Sequence, residues 1–152
     1  MTPEERLAAL GLVVPDVVLP VAAYVPAVRT GSYVYTAGQL PMRDGELMRT
    51  GKVGSEVGVD EANECARQCA LNALAAVRSQ VGDLSAVTRV VKVVGFVASA
   101  PGFTAQPQVV NGASELLGQV FGDSGQHARS AVGVAVLPLD APVEIEMIVE
   151  VG

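Results

Sequence analysis

The sequence predicts an α+β domain in which helices pack on one face of a mostly antiparallel or mixed sheet. Two clear helical patterns lie among alternating or Val-rich runs that are typical of strands. After a short opening helix, the predicted order of elements is βββαβαββ, without internal repeats or low-complexity tracts. At 152 residues the chain has the length of one domain, so a single domain over residues 1–152 is predicted.

The composition supplies more apolar material than a small monomer needs. Half of the residues are hydrophobic, and 17% are charged, against about 25% in ordinary soluble domains. A buried subunit interface would use this excess. The net charge of −6, the 4% aromatic content and the lack of Trp argue against nucleic-acid binding, which needs clustered Lys and Arg and stacking platforms.

The first residues predict a short helix. Thr2 suits the N-cap, Pro3 the first helical position and Glu5 the third, while Gly11 and Pro15 end the element. This charged and interrupted start matches neither a signal peptide nor a membrane helix. We therefore expect a cytoplasmic protein without a membrane partner.

Three strands are predicted next. Residues 24–31 and 33–41 are strand-like runs with turn residues between them, which predicts a hairpin. A weaker strand is predicted at residues 46–54, after a second turn.

Two helices flank a Val-rich strand. The first begins at Val59 or Asp60 and ends before Gly82, and the second covers residues 107–122. Residues 88–99 are too apolar to alternate, as expected of a strand that is covered on both faces or lies in an interface. The residues expected to face the core are Ala62, Cys65, Cys69, Ala73, Ala76 and Val77 in the first helix, and Val109, Val110, Ala113, Leu116, Leu117, Val120 and Phe121 in the second.

The last two strands are predicted at residues 128–138 and 143–151, and the short LPLDAP segment between them predicts a hairpin. In the second strand, Val143 and every second residue after it form an apolar side. In the first, the apolar side is expected to hold Val132, Val134 and Val136. The opposite face would then combine Arg129, Ala131, Gly133 and Ala135 with Glu144, Glu146 and Glu150, and such small residues allow a ligand or subunit to approach closely.

This hairpin register predicts the distance between the charged residues. Glu144 would pair near Ala135, which lies six residues from Arg129, or about 20 Å along a strand. The two side chains would not share a site within one chain, but they could meet across an oligomer interface. The register also leaves open a simple ion pair between Arg129 and Glu150.

Few residues are available for other catalytic sites. The chain has one histidine, His127, and two cysteines, which cannot supply a multi-ligand zinc site. A triad of Ser130, His127 and Asp123 would come from one short segment, whereas such triads are assembled from separate elements with an oxyanion hole. Cys65 and Cys69 are interpreted as buried core thiols.

Three segments carry a family resemblance. They are TAGQLP at residues 36–41, the second helix with Asn111, and ARSAVGVAVLPLDAPVEIEMIVEV at residues 128–151. With these segments the chain resembles the YjgF/RidA family of reactive-intermediate deaminases. The resemblance extends from about Tyr24 onward, and residues 1–20 are similar to the N-terminal extension of a longer branch.

The resemblance implies a chorismate-mutase-like α+β fold, with a six-stranded mixed sheet, two helices packed on one face, and a homotrimer that holds ligand clefts between subunits. Members hydrolyse small enamine and imine intermediates, such as 2-aminoacrylate, to 2-oxo acids and ammonia without a metal or organic cofactor. The implied ligand is therefore a small carboxylate or imino acid.

The resemblance also implies roles for individual residues. Arg129 would bind the substrate carboxylate through two parallel hydrogen bonds. Glu144 would help to activate the hydrolytic water. The further residues expected at the cleft are Tyr24, Gly38, Asn111 and, through its backbone, Ala131.

Two positions depart from the family pattern. Ala131 stands where the best-known deaminases carry a cysteine, and Ala37 where they carry a serine. A non-catalytic binder of small carboxylates, or a regulatory partner of metabolic enzymes, therefore stays an alternative. The family also carries the label endoribonuclease, for which this acidic chain gives no independent reason.

Overall fold

The computed structural model describes residues 1–20 and 22–152. This part of the chain contains three α-helices and seven strands. The helices are α1 (Pro3–Ala9), α2 (Val59–Val81) and α3 (Gln106–Phe121). The strands are β1 (Ala27–Thr30), β2 (Tyr33–Thr36), β3 (Met42–Arg43), β4 (Glu46–Leu47), β5 (Val87–Ala98), β6 (Ala128–Val134) and β7 (Val143–Val151).

The main sheet has five strands in the order β1-β2-β7-β5-β6, and β3 and β4 form a separate hairpin. Only β5 and β6 are parallel neighbours, so this sheet is mixed, as expected. The expected count of six strands is corrected to five. The strand predicted at residues 46–54 shortens to β4, and Gly51 and Gly54 within that range adopt positive φ angles that interrupt an extended chain.

The opening helix α1 forms as predicted. Thr2 Oγ1 accepts the Glu5 N–H at 3.1 Å, and the Glu5 carboxylate accepts the Thr2 N–H at 2.8 Å. This reciprocal pair is a capping box, which satisfies two backbone donors at the helix start.

The core lies between the sheet and the two long helices. Every residue predicted to face the core from α2 and α3 is buried. From the sheet, β5 contributes Val90, Val93 and Val97, and β7 contributes Val143, Ile145, Met147 and Val149. No helix in the described ranges is long and apolar enough to cross a membrane.

The predicted hairpin of the last two strands is wrong. β5 lies between β6 and β7, parallel to the first and antiparallel to the second. The end of β5 occupies the gap, since Ser99 N–H donates to Val134 O on one side and Ala98 N–H donates to Pro142 O on the other. Strands that are adjacent in sequence are therefore bridged by a third strand from earlier in the chain.

This arrangement also corrects the predicted pairings of the charged residues. Glu150 pairs with Tyr33 and Arg89 and not with Arg129. Glu144 pairs with Phe96 of β5, and Ala135 lies beyond the end of β6.

In the described part of the chain no helix covers the sheet face opposite α2 and α3, and we call this the open face. Tyr35, Val94, Phe96, Ile148 and Val132 contribute apolar side chains to it. Tyr35 and Val132 are each 44% exposed. An apolar surface of this kind is typical of a subunit interface. The homotrimer itself stays a prediction.

Candidate functional site

Arg129 lies in β6, and α3 holds its side chain. Arg129 Nη1 donates to Asn111 Oδ1 at 2.8 Å and to Ser114 Oγ at 3.1 Å. Asn111 and Ser114 are three residues apart, so they lie on the same face of α3. Because Nη1 uses both of its protons in these bonds, Nε and Nη2 are left to bind a ligand. We call these three residues the arginine cluster.

Within residues 1–20 and 22–152, the guanidinium in the arginine cluster has no ionic partner. The two ion pairs found in the described residues join Arg49 to Glu61 and Lys52 to Asp140. An open depression of about 340 Å³ leads to Arg129. A half-buried, accessible guanidinium that is held by neutral acceptors is suited to binding a small carboxylate.

Arg129 lies on the helix-covered face of the sheet, contrary to the sequence prediction. It pairs with Val93, which is fully buried beneath the helices, and Ala131 pairs with Gly95 on the same face. Val132 therefore points to the open face. The prediction assumed that the valines of β6 face the helices. It was wrong because β6 is an edge strand whose valines lie on the apolar open face.

A β-bulge shapes the chain opposite Glu144. Met147 N–H donates to Thr36 Oγ1, and Gln39 forms a backbone bridge with Ile145. The chain after β2 therefore holds one more residue than β7 between these points, which defines a bulge at residues 37–38. The bulge brings Gly38 onto the open face.

Gly38 packs directly on Glu144. A Cβ atom at position 38 would lie 2.0 Å from Glu144 Oε1, so only glycine allows this approach. Burial raises the pKa of Glu144 above its usual value, and the like charge of Glu146 raises this pKa further. A carboxylate with a raised pKa accepts a proton more readily near neutral pH.

Tyr24 lies in the segment before β1. It is 56% exposed, and together with Gly38 it lines a cleft of about 180 Å³. We call this cleft, together with the Glu144 carboxylate that contacts Gly38, the glutamate cleft. Three of the predicted site residues thus belong to the glutamate cleft. Two others, Arg129 and Asn111, belong to the arginine cluster.

The two groups do not meet within one chain. Arg129 is in register with Val93 and Met147, whereas Glu144 is in register with Phe96, three residues along β5 from Val93. Two strand spacings and three residue steps put their Cα atoms about 14 Å apart. Side chains three residues apart along a strand point to opposite faces, so each chain presents two separate half-sites.

The two positions that depart from the family pattern lie one in each half-site. Ala131 is half-buried, two residues from Arg129 on the same face, and packs against the core. Ala37 is half-buried in the bulge beside Gly38. Their methyl groups supply neither a nucleophile nor a proton donor.

The other candidate residues do not form a catalytic group. His127 Nδ1 lies 3.0 Å from the carbonyl oxygen of Ala128, and no hydrogen bond joins this ring to Ser130 or Asp123 in the described residues. Burial lowers the pKa of His127. Burial raises the pKa of Cys65 to about 11, and Cys69 is fully buried, so both are core thiols, as predicted.

Metal ligands do not cluster in residues 1–20 and 22–152, where no group of three or more His, Cys, Asp or Glu side chains could hold an ion.

Ser114, the second acceptor of Arg129 Nη1, was not among the predicted site residues. Its signal in the sequence is the spacing of three residues from Asn111 within a predicted helix. The wrong placement of Arg129 on the open face concealed this signal, because no contact with α3 was then expected.

Comparisons with known proteins agree with this architecture. A family model described as "YjgF/chorismate mutase-like, putative endoribonuclease" matches residues 4–151. The chain is 44% identical over 148 residues to protein TCP17 of Trypanosoma cruzi, which covers 97% of this chain and 92% of that protein. It is 36% identical over 132 residues to 2-iminobutanoate/2-iminopropanoate deaminase of Dermatophagoides farinae, which covers 86% of this chain and 87% of that protein.

Solved structures share the fold. A protein of unknown function from Agrobacterium tumefaciens superimposes with a TM-score of 0.91 at 49% identity, over 99% of this chain and 94% of its own. The structure of E. coli TdcF with bound serine superimposes with a TM-score of 0.64 at 26% identity, over 90% of this chain and 94% of its own.

Proposed function

Since this chain belongs to the YjgF/chorismate-mutase-like family, we propose that it is a cofactor-independent deaminase, which hydrolyses small 2-imino acids and their enamine tautomers to 2-oxo acids and ammonia. The arginine cluster carries this proposal. The guanidinium is half-buried, is held by two neutral acceptors and has no ionic partner among the described residues, an arrangement that suits the binding of one small carboxylate.

Arg129 anchors the substrate. Its free Nε–H and Nη2–H donors are parallel, so they bind the two carboxylate oxygens together and fix the plane of the imino acid. The electrophilic carbon C2 is then held in one position relative to the water. Positioning supplies a large part of the rate, because an imine already hydrolyses readily in water.

The reaction needs only proton transfers. The water oxygen forms a bond to C2 of the protonated imine, and the released proton passes to a base. The resulting carbinolamine loses ammonia when its nitrogen is protonated and the C–N bond breaks. The hydroxyl proton passes to a base in the same step, which leaves the carbonyl group of the 2-oxo acid. An enamine enters this route after protonation at C3.

Glu144 is the proposed base. Its carboxylate is partly withdrawn from solvent by Gly38, and its raised pKa favours acceptance of the water proton. A positioned general base contributes about 10²- to 10⁴-fold to a rate. The same carboxylic acid can return the proton to the leaving ammonia.

The two half-sites are proposed to complete each other between the subunits of a homotrimer. Arg129 and Glu144 project from opposite faces of one sheet, so an Arg129 from one subunit needs a Glu144 from a neighbour. The uncovered apolar open face supports such an assembly.

The names of two relatives support the ligand class. The Dermatophagoides farinae protein is named as a deaminase of 2-iminobutanoate and 2-iminopropanoate, and the TdcF structure contains serine. Both ligands are small molecules with one carboxylate beside an amino or imino carbon.

A non-catalytic binder of small carboxylates is the second candidate. The alanines at positions 131 and 37 favour it, because they remove polar side chains from both half-sites while leaving the anion anchor intact. RNA cleavage is not proposed, since the net charge of −6 disfavours binding to a polyphosphate.

A coupled assay separates the two candidates. A pyridoxal-phosphate lyase generates 2-aminoacrylate, and pyruvate release is followed with and without the protein. Arg129→Ala should lower kcat/KM about 100-fold, as expected when a charged hydrogen-bonding partner is removed. Arg67→Ala is the matched control, because Arg67 also donates to a side chain of α3, Gln119. Arg129-dependent binding of 2-oxobutyrate without faster pyruvate release would instead support the binder.

A further inference from the structure

The cleft that Tyr24 and Gly38 line is largely apolar, and the N-terminal segment builds one of its walls. Val18, Leu19 and Pro20 line it together with Tyr24, Gly38 and Leu139. Its volume is about 180 Å³, which compares with about 30 Å³ for a water molecule in the liquid. This is more room than the methylene group of 2-aminoacrylate requires.

We propose that this cleft binds the side chain of the substrate, and that the preferred substrates are imino acids with branched apolar side chains, such as the imine derived from leucine. The proposal rests on the proposed function and assigns a substrate class to the same site. It also gives residues 18–20 a role.

The N-terminal segment is held in place by contacts along its length. Glu4 Oε1 accepts the backbone N–H of Leu84 at 2.8 Å, and Arg78 Nη2 donates to Pro15 O at 3.5 Å. Between these points Leu7 and Val14 are buried in the core. These contacts fix the course of the chain immediately before Val18, so the wall of the cleft is attached to the body of the domain.

Leu139 also lines the cleft, and its backbone is in a strained conformation. It is 70% exposed and has a φ of 59°, in the left-handed region that non-glycine residues rarely adopt. The turn is held by the Lys52–Asp140 ion pair and by Gly51 N–H donating to Asp140 O at 2.9 Å. An exposed leucine held in this conformation is explained if its side chain contacts a ligand.

Gly38 connects the apolar cleft to the proposed base, Glu144. It lines the apolar cleft and also packs on the Glu144 carboxylate. A substrate whose C2 lies beside Glu144 can therefore extend its side chain past Gly38 towards Leu19 and Leu139. No charged side chain lines the cleft in the described residues, so a charged substrate side chain would be desolvated there without a partner.

Competition kinetics test the proposal. An L-amino acid oxidase with catalase generates imines from leucine and from alanine, and semicarbazide trapping reports how fast the protein removes each. Because one buried methylene group is worth about 10- to 200-fold in discrimination, kcat/KM should be at least about 10-fold higher for the leucine imine. Leu139→Asp and Leu19→Asp should each reduce this ratio about 10-fold or more, with the alanine imine changed less than about threefold.

The control is Val13→Asp, which places the same charge at an exposed position of the N-terminal segment outside the cleft. Equal kcat/KM values for the two imines, or equal losses for both in the Leu139 and Leu19 variants, would overturn the proposal. A shift to smaller particles in light scattering with an unchanged ratio would also overturn it, because the cleft would then hold a neighbouring subunit.

Failure of the proposed function gives a different result. If neither imine is removed faster than in buffer, the deaminase proposal fails, and calorimetry with the oxo acids still tests the cleft. Binding of 4-methyl-2-oxopentanoate about 10-fold tighter than pyruvate, lost in Leu139→Asp, would support the side-chain site. Equal affinities would contradict it.

Discussion

Arg129 and Glu144 point away from opposite faces of the same sheet. β5 shows this directly, since Val93 pairs with Arg129 on the helix-covered face and Phe96 pairs with Glu144 on the open face. The proposed carboxylate anchor and the proposed base are therefore kept apart in each chain. The function we propose requires that assembly brings them together.

Ser114 should position Arg129. Ser114→Ala removes one of the two acceptors of Nη1, so the guanidinium loses part of its orientation while its charge remains. We expect KM to rise about 3- to 10-fold, as for the loss of one hydrogen bond, with kcat within about twofold. Ser114→Thr should have the wild-type KM, because threonine keeps the hydroxyl group. Ser130→Ala, an exposed serine next to Arg129 in β6, is the control. A loss confined to kcat would show that Ser114 acts on the chemical step instead.

Gly38→Ala should displace the Glu144 carboxylate. The added methyl carbon would lie 2.0 Å from Glu144 Oε1, so one of the two groups must move. We expect kcat to fall about 100-fold, which is the contribution of a positioned general base. Gly58→Ala introduces a methyl group that only touches Glu61 at 3.5 Å, so it should keep wild-type kcat. Normal kcat in Gly38→Ala would remove the support for Glu144 as the base.

The pH profile should report the carboxyl pair on the open face. Glu144 accepts a proton only when it is ionised, and burial raises its pKa. As the pH is lowered, activity should therefore fall at a pH above the usual glutamate pKa of about 4.3. Glu146→Gln removes the neighbouring like charge and should move this acid limb of kcat/KM to lower pH. Glu64→Gln, at an exposed position of α2, should leave it unchanged. An acid limb that does not move in Glu146→Gln would contradict the coupling.

The same pKa shift predicts a stability effect. The folded chain binds the Glu144 proton more tightly than the unfolded chain, so the stabilisation from this group is present at low pH and is lost as pH rises through the raised pKa. Glu144→Gln should therefore raise Tm at pH 7 while it lowers activity. A lower Tm at pH 7 and an unchanged Tm at pH 4 would show the opposite sign.

The open face should be a subunit contact. Val132→Asp places a charge on this apolar surface, so it should convert trimers to monomers in light scattering. Val13→Asp changes an exposed valine of the N-terminal segment and should leave the particle mass unchanged. A wild-type protein that is monomeric at micromolar concentration would contradict the assembly.

The helices and the five strands of the main sheet could be predicted from local patterns. α2 is Ala-rich with acidic residues in its first turn, and the apolar spacing of α3 matches its buried face. The order of strands in the sheet could not be predicted in this way. The LPLDAP segment is short enough for a hairpin, but the end of β5 takes the hydrogen bonds on both sides of the gap.

Alternation along the strands predicted the position of one of the two charged site residues and misplaced the other. Alternation placed Glu144 on the open face of β7 correctly, because its neighbours Val143 and Ile145 are buried under the helices. The same reasoning placed Arg129 wrongly, because the valines of β6 belong to a face that helices do not cover. Apolar periodicity identifies two sides of a strand, but it does not tell which side carries the helices when both sides are apolar.

Mixing two inactive variants tests the shared site most directly. Arg129→Ala and Glu144→Gln are each expected to be inactive as pure proteins. If every site takes Arg129 from one subunit and Glu144 from the next, trimers refolded from an equal mixture should regain about one quarter of the wild-type activity, because about one site in four combines two intact residues. Each variant refolded alone is the control. Mixed trimers that are no more active than the pure variants would contradict a site built from two subunits.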